Sequence, residues 1–128
     1  HEIRMFSKDE LQFLHEAILL FNDEAFYECH EILEELWEKL KGEEKRWIQG
    51  LLQISVGFYH LRTDNEKGCR SQFTKSLDKF SQNSHHHMPF RLESILDIVK
   101  GIATGFIIFN PNYNAPKIKF DERSKYSI

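Results

Sequence analysis

Apolar residues recur at helical spacing along most of this chain, and short polar breaks interrupt them. After "SKDE", in which Ser7 and Glu10 have capping-box spacing, Leu11, Leu14, Ile18 and Phe21 repeat every three or four residues and predict a first helix. Asn22 and Asp23 are expected to end it and to cap the next. A second helix is expected from about Glu24 to Lys41, stopped by Gly42, and a third from about Glu43 to Thr63. "TDNEKG" reads as a turn, and a fourth helix carries Cys69, Phe73, Leu77 and Phe80 on one face. "SQNSHHHMP" is a polar loop. A fifth helix from about Pro89 is expected to bury Leu92, Ile95, Leu96, Val99, Ile102 and Phe106, and "NPNYNAPK" ends it. Only the short "FIIF" has any strand character. The pattern therefore predicts an all-α, single-domain bundle of about five helices, largely antiparallel because its connections are short. The bundle is expected over residues 1–110, with 111–128 a polar tail whose removal from Lys117 onward leaves stability nearly unchanged.

The polar positions are sorted by face. At about 100° per residue, Glu24, Glu28, Glu31, Glu35 and Glu38 of the second helix share one side, a solvated acidic stripe. Phe26, Cys29, Leu33, Leu36 and Leu40 lie opposite, as the core face. His30, Glu34 and Trp37 form a row along the border between the two. The third helix is apolar almost all round, which marks it as central. Its one polar strip is Gln49, Gln53 and His60, with Gly50 and Gly57 beside it to admit a close neighbour. If the two helices turn back on each other near Gly42, this strip faces the His30 row. His30 then lies level with Ser55, Gln53 falls between His30 and Glu34 in height, and His60 sits nearer Phe26.

These residues resemble a known family. "YECHEILEELW" after "FN", then "QGLLQISVGFYHL" and "GCR", are similar to the proteins grouped as domain of unknown function 309, over roughly residues 11 to 80. The resemblance implies a small all-helical bundle. It marks His30, Glu31, Glu34, Trp37, Gln49, Gly50, Gln53 and His60 as signature positions and brings no activity with it. Glu24 stands where such proteins often have a turn glycine, and Cys29 where they often have alanine.

Three readings of the polar row compete. In the first, His30, Glu34, Gln53 and His60 form a buried hydrogen-bond network that fixes helix register, in a binding or assembly protein. In the second, Trp37, Trp47 and the glutamine strip line a cleft for a protein or small-molecule partner. In the third, His30, Glu34 and His60 hold zinc or manganese, with Glu31 as general base of a hydrolase. A zincin needs a second His where Glu34 stands, and a ferritin-like site needs a Glu where Tyr27 stands, so the metal motif is incomplete. The expectation is the first reading, with no cofactor.

Charge and composition remove other classes. The formal net charge of -3 provides no global basic field for nucleic acid. The longest apolar run, "WIQGLLQISVGFYHL", is too short to span a bilayer. No signal peptide or twin-arginine start is visible, although a chain opening on His1 is one whose N-terminus is expected to have been processed or trimmed. Cys29 and Cys69 have no CxxC spacing and read as reduced core thiols, which with the absent leader suggests a cytoplasmic protein. His85, His86 and His87 lie in the polar loop and read as incidental. From Arg62 to Arg91 six Lys or Arg face three acids, and solvated surface explains them more simply than an acidic partner does. The broad apolar faces, with Trp47 and Tyr59 pointing apart, suggest a two-fold homodimer.

Overall fold

The computed structural model describes residues 6–81 and 88–121, so the triple histidine 85–87 lies outside the described residues. It is a bundle of five helices with antiparallel packing: α1 (Lys8–Asn22), α2 (Phe26–Lys39), α3 (Gly42–Arg62), α4 (Glu66–Lys79) and α5 (Glu93–Thr104). Two short strands, β1 (Phe90–Arg91) and β2 (Lys119–Phe120), pair antiparallel with Phe90 opposite Phe120.

Local chemistry explains the helix ends. The Glu10 amide donates to Ser7 Oγ at 3.1 Å and the Ser7 amide to Glu10 Oε1 at 2.9 Å, which closes the capping box on α1. The turn into α2 differs from the expectation. Its N-cap is Ala25, which makes no side-chain cap, and Glu24 takes a left-handed φ of 61°. Asn22 is not free to cap, because its side chain donates to Ile118 O and accepts from Ile118 N. Lys39 ends α2, Leu40 is extended, and Gly42 turns the chain into α3 at φ 66°. Asn65 caps α4 by accepting from the Gly68 amide. Gly105, at φ 82°, stops α5 one residue before Phe106. The helical period therefore breaks there, and Phe106, expected in the core, is 91% exposed. Leu96 is half-buried. "FIIF" is not a strand; the residues that pair as strands are the two dipeptides flanking α5 and the C-terminal segment.

α3 runs through the middle, packed by α2 on one side and α4 on the other. Phe58 sits at the centre, stacked on Phe26 at 5.5 Å and edge-on to Phe73 at 4.9 Å, with Phe21 at 5.6 Å. Such ring pairs contribute about 0.5–1.5 kcal/mol each beyond the area they bury. Gly57 is required beneath Phe73: a Cβ there would lie 2.3 Å from the ring. The neighbour that approaches Gly50 and Gly57 is thus an aromatic side chain of α4 or its C-cap rather than a backbone. Trp47, expected on an outward face or in a cleft, is buried within the single chain against Phe6. It therefore gives no argument for a second subunit.

The segment after α5 is docked. Ile118 belongs to the core and Phe120 stacks on His15 at 4.7 Å. Arg62 donates to the carbonyls of Pro111 and Tyr113 while pairing both oxygens of Glu24. The expectation that removal from Lys117 onward leaves stability nearly unchanged stands against the burial of Ile118, which is 2% exposed, so that removal is now expected to cost stability. No helix among the described residues is long and apolar enough to cross a membrane.

Candidate functional site

Residues of the border row of α2 and of the polar strip of α3 line two clefts. In the first, of about 200 Å³ and mostly apolar, Phe26, Tyr27 and His30 of α2 face Val56, Tyr59 and His60 of α3. In the second, of about 250 Å³, Glu34 and Trp37 of α2 face Gln49, Leu52 and Gln53 of α3, and Gln72 and Lys75 of α4 close the far side. Residues Tyr27, His30, Glu34 and Trp37 follow one another at three- and four-residue steps, so the two clefts lie along one face of α2, beside α3. Of the signature positions, His30 and His60 line the first cleft and Glu34, Trp37, Gln49 and Gln53 the second, whereas Trp47 lines neither.

What the groove does not contain is the closed network. His30 lines the first cleft, with its Nε2 3.4 Å from Glu34 Oε1 and its Nδ1 3.1 Å from the Tyr27 carbonyl. That carbonyl can only accept, so Nδ1 carries the proton and Nε2 faces Glu34. Glu34 is 59% exposed, however, and the pair is a surface contact rather than a buried lock. Gln53 joins neither of them. It is only 8% exposed, and its Oε1 is buried without a hydrogen-bond partner. Register alone cannot show this: Gln53 lies level with the row, yet it lines the second cleft without joining His30 or Glu34.

Trp37 mirrors it. The indole Nε1 is also buried without a partner, while Lys45 Nζ lies over the ring at 4.0 Å. Helical spacing does not distinguish the polar residues of the row from one another. What singles out Trp37 and Gln53 is the burial of an unpaired polar atom on each, in a cleft that Gln72 and Lys75 of α4 also line.

His60 lies at the apolar end. Asn65 Oδ1 accepts from the Gly68 amide, so its Nδ2 is the donor toward His60 Nδ1 at 3.3 Å. His60 is thus the opposite tautomer to His30, with Nε2 carrying the proton in the neutral ring. His60 and Glu34 line different clefts, and among the described residues no group of three His, Cys, Asp or Glu is placed to hold a metal ion. Glu31, the candidate base of a metal site, lies exposed on the acidic stripe and lines neither cleft. Cys29 and Cys69 are buried, and burial pushes both thiols up to about 12. They are packing groups and not nucleophiles.

A five-helix bundle with an open groove, partly aromatic and partly amide-lined, defines the class of protein. Residues 14–72, which carry both groove walls but not Lys75, match the family described as Domain of unknown function (DUF309). The chain is 40% identical over 53 residues to "Uncharacterized protein YpuF" of Bacillus subtilis (strain 168), a stretch covering 41% of this chain and 30% of that protein. It is 26% identical over 117 residues to an "Uncharacterized protein" of Aquifex aeolicus (strain VF5), covering 91% of this chain and 34% of that one. The chain thus spans about a third of the length of the curated relatives it matches.

Proposed function

We propose that this chain is a binding module and that its ligand occupies the groove between α2 and α3. One observation carries the reading: Trp37 Nε1, a donor on α2, and Gln53 Oε1, an acceptor on α3, are both buried and unpaired, and both residues line the same cleft. An orphaned buried polar group costs about 1–3 kcal/mol. Two of them on residues lining one cleft are a cost to folding that a complementary ligand recovers. The aromatic end provides apolar area, the usual source of affinity, and the amide end provides orientation.

The test is a fragment screen against the whole chain by ¹H–¹⁵N NMR. Fragments that raise the melting temperature are expected to move the Trp37 indole resonance, and Trp37→Phe is expected to weaken them. Stabilising fragments that map consistently to another face, leaving Trp37 unmoved, would overturn the assignment.

A further inference from the structure

His30 and Glu34 present two facing acceptors beside the first cleft. The Nδ1 proton of His30 goes to the Tyr27 carbonyl, so in the neutral ring Nε2 offers only a lone pair. It faces Glu34 Oε1 at 3.4 Å, and an ionised carboxylate also only accepts. Two acceptors at that separation lie within hydrogen-bond reach of a single donor group. Among the described residues no Lys or Arg pairs with Glu34. A divalent metal would take the same two atoms, but among the described residues no third His, Cys, Asp or Glu is placed to join them.

His30 also lines the first cleft, which is mostly apolar. The Tyr27 and Tyr59 rings touch, with centroids 5.7 Å apart, and the His30 ring lies 5.3 Å from Tyr27, so the three form one aromatic wall. At about 200 Å³ the cleft is smaller than the roughly 300–1,000 Å³ of drug-sized pockets and suits one small substituent. Arg62, over the Phe26 ring at 5.9 Å, is matched by Glu24 and adds no net charge there. A carboxylate would bring a third acceptor to His30 and Glu34, and an alcohol brings one O–H for two acceptors. A primary ammonium brings three N–H donors, a positive charge opposite Glu34, and attraction to aromatic faces. We infer that the first cleft recognises a primary ammonium ion on a short apolar stem, its N–H groups donating to His30 Nε2 and Glu34 Oε1 and its stem lying against the wall of Tyr27 and Tyr59. This recognition uses neither Trp37 nor Gln53, so it goes beyond the binding reading above and is tested separately from it. A free amine and a lysine side chain share that chemistry.

The experiment titrates the whole chain at pH 7.5 with 2-phenylethylamine, 2-phenylethanol and 3-phenylpropionate, followed by NMR of the histidine and tyrosine rings. The amine is expected to shift the His30 and Tyr59 ring resonances and to bind about tenfold more tightly than the alcohol, the worth of a hydrogen bond to a charged group. The carboxylate is expected to bind most weakly of the three. Glu34→Gln, at an exposed position that the fold does not need, is expected to bring the amine down to the level of the alcohol. Glu31→Gln, which removes the same charge from the acidic stripe, is expected to leave amine binding unchanged. Nα-acetyl-lysine methylamide separates the sources: tighter binding than n-butylamine assigns the cleft to a lysine side chain, and equal or weaker binding assigns it to a free amine. Equal affinity of the amine and either of its two analogues, or equal losses in Glu31→Gln and Glu34→Gln, would overturn the inference. So would amine binding that leaves the His30 ring unmoved, zinc chloride binding at His30 in preference to the amine, or a proton found on His30 Nε2 in the free protein at that pH. None of these results bears on Trp37, where the fragment screen decides the binding reading.

Discussion

Arg62 ties three parts of the chain together. Its guanidinium pairs both oxygens of Glu24 at the turn into α2 and donates to two carbonyls of the segment after α5. Hydrogen bonds to a charged group are worth about 1.5–3 kcal/mol each before solvent screening. Arg62→Ala is therefore expected to lower the urea unfolding free energy by about 2 kcal/mol, and Arg62→Lys to recover little, since an ammonium cannot span the same acceptors. The Arg62 hydrogen bond holds the Glu24 carboxyl below its ordinary value of 4.5. A depressed carboxyl stabilises the fold above its unfolded value and loses that contribution as pH falls through the folded one. Glu24→Gln should therefore cost stability at pH 7 and flatten the acid side of the stability profile below about pH 4.5, read from urea melts across pH. For Cys29 and Cys69 the sign is opposite: burial favours the neutral thiol, so their contribution holds below the ordinary value of 9.0 and fades as pH rises toward about 12. Native protein at pH 8 should resist iodoacetamide, and urea should expose both thiols; rapid native labelling would contradict their burial.

At the scale of elements, α3 is held close to α4 by Gly57 under Phe73. Phe73 is fully buried and has nowhere to go, so Gly57→Ala should cost about 1–3 kcal/mol in urea unfolding. A neutral result would mean that α3 and α4 are not in this contact. The five helices were legible because each buries a stripe at helical spacing, and the capping box of α1 announces itself in "SKDE". The strand pair was not legible, because each strand is two residues long and finds its partner across α5. Phe106 continues the helical period past Gly105, and the period says nothing about where a left-handed glycine ends a helix. The groove lay between. The row His30, Glu34, Trp37 and the strip Gln49, Gln53, His60 could be placed opposite each other from spacing alone. Which of those groups pair and which stay unpaired depends on side-chain burial and on α4, which no periodicity encodes.

For the molecule as a whole, the end of the described chain is a part of the core. Ile118 is 2% exposed and its backbone is clasped by Asn22. Ile118→Ala should cost about 2–5 kcal/mol, as buried isoleucine truncations do, and a loss under about 0.5 kcal/mol would mean the segment is not docked. The central claim is that Trp37 and Gln53 are kept polar for a ligand and not for the fold. Urea unfolding of Gln53→Met tests it most directly, because methionine nearly matches the shape of glutamine without its buried carbonyl. An orphaned acceptor replaced by an apolar group of similar shape should leave stability unchanged or raise it by about 1 kcal/mol, while ligand binding falls. A loss of more than about 1 kcal/mol would mean that the Gln53 amide holds the helices together, and would contradict the account.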